Sequence, residues 1–424
     1  LKILSVSQAD IDGGAARAAH RVAAQMVTMG VDLRMQVMRK LGQDPWVVGA
    51  NSLSGIMLSR LLPRAELLAK KMAGVVDGFP WSLNAFPNPM LDEAFINGFD
   101  GIHLHLIGKN MVPINWIHRI RRPTVWTLHD SWAFTGGCHF PFACRHFEGT
   151  CGNCPQLKKP TEEDLSRRIW HEKEAAYSKA PLHFVSPSRW MADEARASGL
   201  LRNAEISVIP NGLDTGVFAP TEKAFARETL GLPVDKKIIL FGAMASEDPR
   251  KGLHLLVEAL NHLKTRDPHC AERMVLVVFG TAEKSLGDEF PIPAIQLGFI
   301  RDDSRLARIY SAADLTTVPS MMESFGQVAS ESLSCGTPVV AFNATGLRDV
   351  LDHRETSYAA TAFEPSDLAN GIHWILNFSE AEARRISALA RKQALERFDI
   401  AVTTRQHIEL FGRLTAKGEA SVHL

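Results

Sequence analysis

At 424 residues the chain is too long for one ordinary domain and suits two. A hydrophobic content of 46% with 22% charged residues describes a folded globular protein, and 47 basic residues against 47 acidic ones leave no global electrostatic case for nucleic acid. No apolar run approaches the roughly 20 residues that a bilayer crossing needs, and LKILSVSQAD reads as a strand and not a signal peptide, so a cytoplasmic location is expected.

In chain order, the first strand is KILSVS at 2–7, followed by DIDGGAARAAH. Gly13 and Gly14 there permit positive φ and close backbone approach ahead of an Ala-rich helix. The third glycine of G-x-G-x-x-G is missing, which counts against a nicotinamide oxidoreductase; an ordinary strand-to-helix turn accounts for the pair as well as a phosphate loop does. DLRMQVMR at 32–39 is the second strand. The stretch 54–76, SGIMLSRLLPRAELLAKKMAGVV, mixes Leu and Met with Arg60, Arg64, Lys70 and Lys71, and Pro63 predicts two short helices. It suits an anionic membrane surface, or equally a helix with a solvated basic face.

Strands follow at GIHLHL, whose His103 and His105 alternate toward one covering layer of helix, and at TVWTLHD. His129 and Asp130 stand at the mouth of the latter strand, where a His could bond a sugar hydroxyl; a His-Asp pair is also a common structural device. The next segment, residues 136–157, carries Cys138, Cys144, Cys151 and Cys154 in GGCHFPFACRHFEGTCGNCP. Four thiolates in one loop can enclose a tetrahedral zinc, with His139 and His146 as substitute ligands; disulfides and free thiols are the other two readings. Strands at HFVSPS and ISVIPNG complete the first half.

Pro210, Asn211 and Gly212 make a turn, after which polar TEKAFARETLGLP leads to a fresh first strand. The expected domains are residues 1–212 and 213–395, with 396–424 as a final helix crossing back to the first domain. Strands in the second half fall at KKIILFGA, RMVLVVFG, AIQLGFI, LTTVPS and PVVAF. Near-continuous apolar strands alternating with amphipathic helices, such as the one carrying Leu253, Leu256, Val257 and Leu260, predict an α/β fold of two doubly wound, Rossmann-like domains facing across a cleft.

Ligands of such sheets sit at the carboxyl ends of strands where the order reverses. DPRKGLHLL there offers Arg250 and Lys251 to a diphosphate, although a basic pair at a helix start is common on any surface. ESFGQVASE places Glu323 at a strand mouth and Glu331 over one turn further on. A helix expected from near Phe325 would aim the amides of Phe325, Gly326 and Gln327 at an anion. Two acids flanking an anion site suit a polyol–phosphate–polyol ligand, a nucleotide sugar; acids complementing a helix dipole are the plainer reading.

These pieces occur together and in this order in one group. On GGAARA, TLHDSW, VIPNGLD, PRKG, GFIRDDSRLARIYSAADLTTVPS, ESFGQVASE, SCGTPVVAF and ATGLRDVL the chain resembles the retaining glycosyltransferases of family 4, over nearly its whole length. The resemblance implies the GT-B fold and a nucleoside-diphosphate sugar as donor. It implies Glu323 on donor-sugar hydroxyls, Glu331 on the ribose, Lys251 and Arg250 on the diphosphate, Gly13 and Gly14 closing over phosphates or acceptor, and His129 near the donor sugar. It implies a saccharide acceptor and no metal for catalysis, while the basic stretch 54–76 would set a lipid-linked acceptor at the inner face of a membrane. The cysteine loop resembles that of transferases of colanic-acid-type exopolysaccharide. Many relatives carry Arg after the glycine of the strand that here reads LFGA, where this chain has Ala243. A nucleotide-sugar epimerase and a non-catalytic scaffold of polysaccharide assembly are the other readings these residues allow.

Overall fold

The computed structural model describes residues 1–50, 53–88, 91, 93–245, 248–281 and 290–422. Within them the first sheet comprises β1 (Lys2–Ala9), β2 (Asp32–Arg39), β3 (Val47–Val48), β4 (Gly101–Leu104), β5 (Thr124–Thr127), β6 (Leu182–Ser186) and β7 (Ile206–Val208). Its order is β3-β2-β1-β4-β5-β6-β7, with every pair parallel. The second sheet comprises β8 (Lys237–Ala245), β9 (Met274–Thr281), β10 (Ala294–Gln296), β11 (Leu315–Val318), β12 (Val339–Phe342) and β13 (Ser357–Ala360). Its order is β10-β9-β8-β11-β12-β13, again parallel throughout. Both sheets are doubly wound.

The central strands are apolar on both sides because both faces are covered. Ile238, Ile239, Leu240 and Phe241 are all buried, split between two separate hydrophobic clusters on opposite faces of the second sheet. In the first sheet the helix Gly14–Thr28 covers β1 with Ala16, Ala18, Ala19 and Ala23, small residues that let the helix approach the strands closely. The two-residue β3 and the strand β13, of sequence SYAA, lack the apolar run that revealed the others.

The chain divides into two compact units, Leu1–Pro210 with Thr403–Leu424, and Asn211–Val402. The helix Ile400–Val422 therefore leaves the second unit and joins the first. There Phe411 packs so tightly on β4 that a Cβ at Gly101 would lie 2.8 Å from its ring. The first-unit helix over Leu53–Met72 is continuous through Pro63, against the expected pair of short helices. Proline removes one backbone donor, and the buried anchors on either side hold the helix: Leu62, and Glu66, whose Oε1 accepts from the backbone N–H of Leu83 at 3.0 Å. No helix among the described residues is long and apolar enough to cross a membrane.

Candidate active site

The order of the second sheet reverses between β8 and β11, and the residues singled out in PRKG and ESFG follow these two strands. After β8, Asp248 caps a single turn of 3-10 helix, Pro249–Lys251, by accepting from the backbone N–H of Arg250. The same carboxylate binds the Arg250 side chain through Nε and Nη2. Ala243 lies in β8, and its side chain is outside the described residues. Gly252 then adopts φ 71° and opens the helix Leu253–Arg266. Its bare Cα is required: a Cβ would lie 1.9 Å from the carbonyl oxygen of Pro319, just past β11. That close approach, together with a bond from the Met321 N–H to the Arg250 carbonyl at 2.7 Å, brings Lys251 to Glu323. Lys251 Nζ donates to Glu323 Oε1 at 2.5 Å.

Gly252→Ala is expected to cost the second unit about 3 kcal/mol, overpacking adding to left-handed strain. Chemical denaturation measures it, and an unchanged midpoint would disprove the tight fit.

The Glu323–Gly326 turn is locked from the other side by ATGL. The Glu323 N–H donates to Thr345 Oγ1 at 3.1 Å and its carbonyl accepts from Gly346 N–H at 2.9 Å. Gly346 meets Ser324 so closely that a Cβ would lie 2.3 Å from its carbonyl oxygen. The helix expected from Phe325 begins at Gln327, because Gly326 at φ 109° is its cap. Phe325 itself is core, packed edge-on against Phe398 at 5.5 Å, so only its backbone can meet a ligand. Glu331, 6% exposed, accepts from the Tyr310 hydroxyl at 3.0 Å. The partners Asp248, Thr345 and Tyr310 were not singled out from sequence, since nothing local points to them.

In the first sheet the order reverses between β1 and β4. Gly13 follows β1 with φ 95° and caps the helix from Gly14. Asp10, fully buried just before it, accepts from the N–H groups of Leu41 and Gly42, tying the ends of β1 and β2. His105 follows β4 and His129 follows β5; His105 Nδ1 lies 3.1 Å from His129 Nε2. Asp130 pairs not with His129 but with His139, whose Nδ1 lies 2.7 Å from Asp130 Oδ2. His105, His129, Asp130 and His139 line one small cavity. Burial takes His129 down to about 4, with the Asp130 charge opposing it, while His103 and His105 are pushed well below the ordinary imidazole value. His103 and His105 face the Ile400–Val422 helix, with the His103 and His407 rings 5.0 Å apart. Burial also brings His407 to about 4.

The four cysteines of the loop, none of them joined in a disulfide, line one further cavity with Trp81, Phe147 and others. Burial raises Cys138, Cys151 and Cys154 above the ordinary thiol value, Cys151 to about 12 and Cys154 to about 11. Among the described residues no group of three or more His, Cys, Asp or Glu side chains is placed so that it could hold a metal ion without rearrangement. His139 is not the substitute ligand considered from sequence: Asp130 takes one ring nitrogen and Ser82 Oγ, at 2.8 Å, the other. His146 Nδ1 is bound to the carbonyl of Gly152 at 2.9 Å. Beneath the loop Lys173 is wholly buried, which brings its ammonium down to about 7, opposed first by Cys138 and Cys151.

Two doubly wound parallel sheets, each with candidate residues where its order reverses, define an α/β protein of the GT-B class. The fold is similar to that of sucrose-phosphate synthase from Thermosynechococcus elongatus, with TM-score 0.70 and 20% identity over 98% of this chain and 100% of that one. It is also similar to Anabaena HepE, solved in complex with UDP-glucose, with TM-score 0.64 and 19% identity over 97% and 100% of the two chains. Residues 12–217 match the family model for Glycosyltransferase Family 4, and residues 222–393 that for Glycosyl transferases group 1. D-inositol 3-phosphate glycosyltransferase from Stackebrandtia nassauensis is 30% identical over 320 residues, 72% of this chain and 67% of that protein. The chain belongs to this family of glycosyltransferases. Matches to relatives of the same description from Catenulispora acidiphila and Nocardioides span 42% and 50% of their length.

Proposed function

We propose that the chain transfers a sugar from a nucleoside-diphosphate donor to a hydroxyl of a saccharide or lipid-linked acceptor in exopolysaccharide or lipopolysaccharide synthesis, retaining anomeric configuration. The Lys251–Glu323 pair carries this reading, since it sets an ammonium and a carboxylate together where the second sheet reverses. Glu323 occupies one of the three N–H bonds of the ammonium and orients the other two toward diphosphate oxygens. The amides opening the helix Gln327–Ser334 supply further donors for charge growing on the departing phosphate. Glu331 is the partner for ribose hydroxyls, Tyr310 holding one of its oxygens. Gly13 and Gly14 let the first-unit turn approach phosphate or acceptor, and His129, held neutral, is the partner for a donor-sugar hydroxyl. With stabilisation concentrated on the leaving group and no protein nucleophile required, same-face substitution is the matching mechanism.

The UDP-glucose bound to HepE supports a uridine donor. The match to the Stackebrandtia protein favours a second reading of the acceptor, an inositol phosphate. The helix Leu53–Met72 supports a lipid-side acceptor, because Met57, Leu61, Leu68 and Met72 lie exposed at helical spacing beside Arg60, Arg64 and Lys71. Sedimentation with anionic vesicles at low salt tests that face, and absence of binding rules it out. The assay for the whole reading pairs nucleotide sugars with saccharide and inositol phosphate acceptors and reads the product's anomeric configuration. Retained transfer is expected. Inverted product removes the mechanism, epimerised sugar from donor alone makes the chain an epimerase, and no turnover of any donor leaves the scaffold.

A further inference from the structure

The buried lysine beneath the cysteine loop makes no ion pair among the described residues; Asp130 and Glu172 favour its charge only from a longer range. Lys173 Nζ donates to the carbonyl of Thr135 at 2.9 Å and to that of Trp132, and it stands 3.6 Å from the centroid of the Trp132 ring. Taking an ammonium out of water costs several kcal/mol, and two neutral carbonyls with a ring face offset only part of it. The position is fixed at the root of the loop: Thr135 lies three residues before Cys138, and its hydroxyl donates to the Cys138 carbonyl at 2.6 Å. A negative charge on the loop sulfurs would complete the compensation. Neutral thiols do not provide it, and neither do disulfides. Four thiolates around a divalent ion do, with a net charge of about −2.

We propose that Cys138, Cys144, Cys151 and Cys154 bind one structural zinc ion as four thiolates, with Lys173 as the buried counter-charge beside them. The four sulfurs already share the walls of one cavity. His139 does not join the set, since both of its ring nitrogens are engaged elsewhere. Binding forms four S–Zn bonds, draws the sulfurs in from the walls to about 2.3 Å from the metal, and releases four thiol protons to solvent. It also fits the C-x-x-C turn, where Cys151, Gly152 and Asn153 all hold positive φ (58°, 90° and 46°), a conformation ordinary for glycine and asparagine but uncommon for a cysteine. The cavity abuts the first-unit core through Phe147 and Trp81, so the metal clamps the loop to the domain and takes no part in sugar transfer.

Elemental analysis of the purified chain is expected to give one zinc per molecule, with no disulfide by mass and with the four loop thiols reacting with a thiol reagent only after chelation. Absence of metal together with freely reacting loop thiols overturns the site, as do two disulfides. Loss of a ligand in Cys151→Ser can unfold the loop, so Lys173→Met provides the separate test of the counter-charge. That variant is expected to bind zinc at full stoichiometry but surrender it to a chelator about tenfold faster, the scale of effect of an outer-sphere partner. An unchanged release rate removes the lysine from the proposal.

Discussion

Replacing Lys251 with alanine should lower kcat for sugar transfer by about 10²–10³, the scale of losing one preorganised donor to a developing oxyanion. Two features make the effect large. The ammonium is pinned at a site fixed by two close approaches, Gly252 on Pro319 and Gly346 on Ser324, which hold the backbone around it in place. Arg250, the adjacent cation, is already bound through two of its nitrogens to Asp248. Removal also leaves the Glu323 carboxylate unpaired, adding negative charge where the departing phosphate needs positive. The Lys251 and Glu323 side chains are 24% and 18% exposed, so the lost ion pair should cost about 1 kcal/mol of stability or less, and the melting temperature should hardly move. Lys251→Arg should keep a measurable fraction of the rate. Near-normal turnover in the alanine variant would remove the phosphate role of Lys251.

Acidification should unfold the first unit ahead of the second. His103, His105, His129 and His407 are stacked between β4, β5 and the Ile400–Val422 helix, all held neutral by burial. The charges facing them are mainly each other's; Asp130 alone favours a proton, and only on His129. Nε2 of His105 and Nδ1 of His407 have no hydrogen-bond partner, so neither gains a bond by taking up a proton. The unfolded chain binds protons at these groups below about pH 6.5 and the folded chain does not, so their contribution is complete above that value and is lost as pH falls toward about 4. Each histidine then costs about 1.4 kcal/mol per pH unit across the window. Lys173, brought to about 7, takes its proton before the window opens. Urea unfolding at pH 7.5 and pH 5.5 measures the slope, and His407→Phe should flatten it. Equal stability at the two values would contradict the buried neutral cluster.

How much of this was legible in sequence depended on the range of the interaction. Eleven strands were readable because a strand buried on both faces is a continuous apolar run, as in KIILFGA; β3 and β13 had too few apolar residues to register. Proline at 63 predicted a break that did not occur, because the buried anchors Leu62 and Glu66 outweigh one missing hydrogen bond. PRKG and ESFG could each be placed at a strand mouth, but their union through Lys251 and Glu323 could not, since it depends on contacts between residues some seventy positions apart. The same holds for Asp130. Its neighbour in sequence suggested His129 as partner, and the fold supplies His139 from the cysteine loop.

The path of the chain sets an order for its maturation. A ribosome releases residues 1–210 long before Thr403–Leu424, so β4 emerges without the helix that will cover His103 and Gly101. Residues 211–402 form an uninterrupted insertion in that first unit and can condense while the earlier segment still waits. A nascent polypeptide stalled before position 403 would thus carry an exposed apolar and imidazole-lined face, the place for a chaperone to hold until translation finishes.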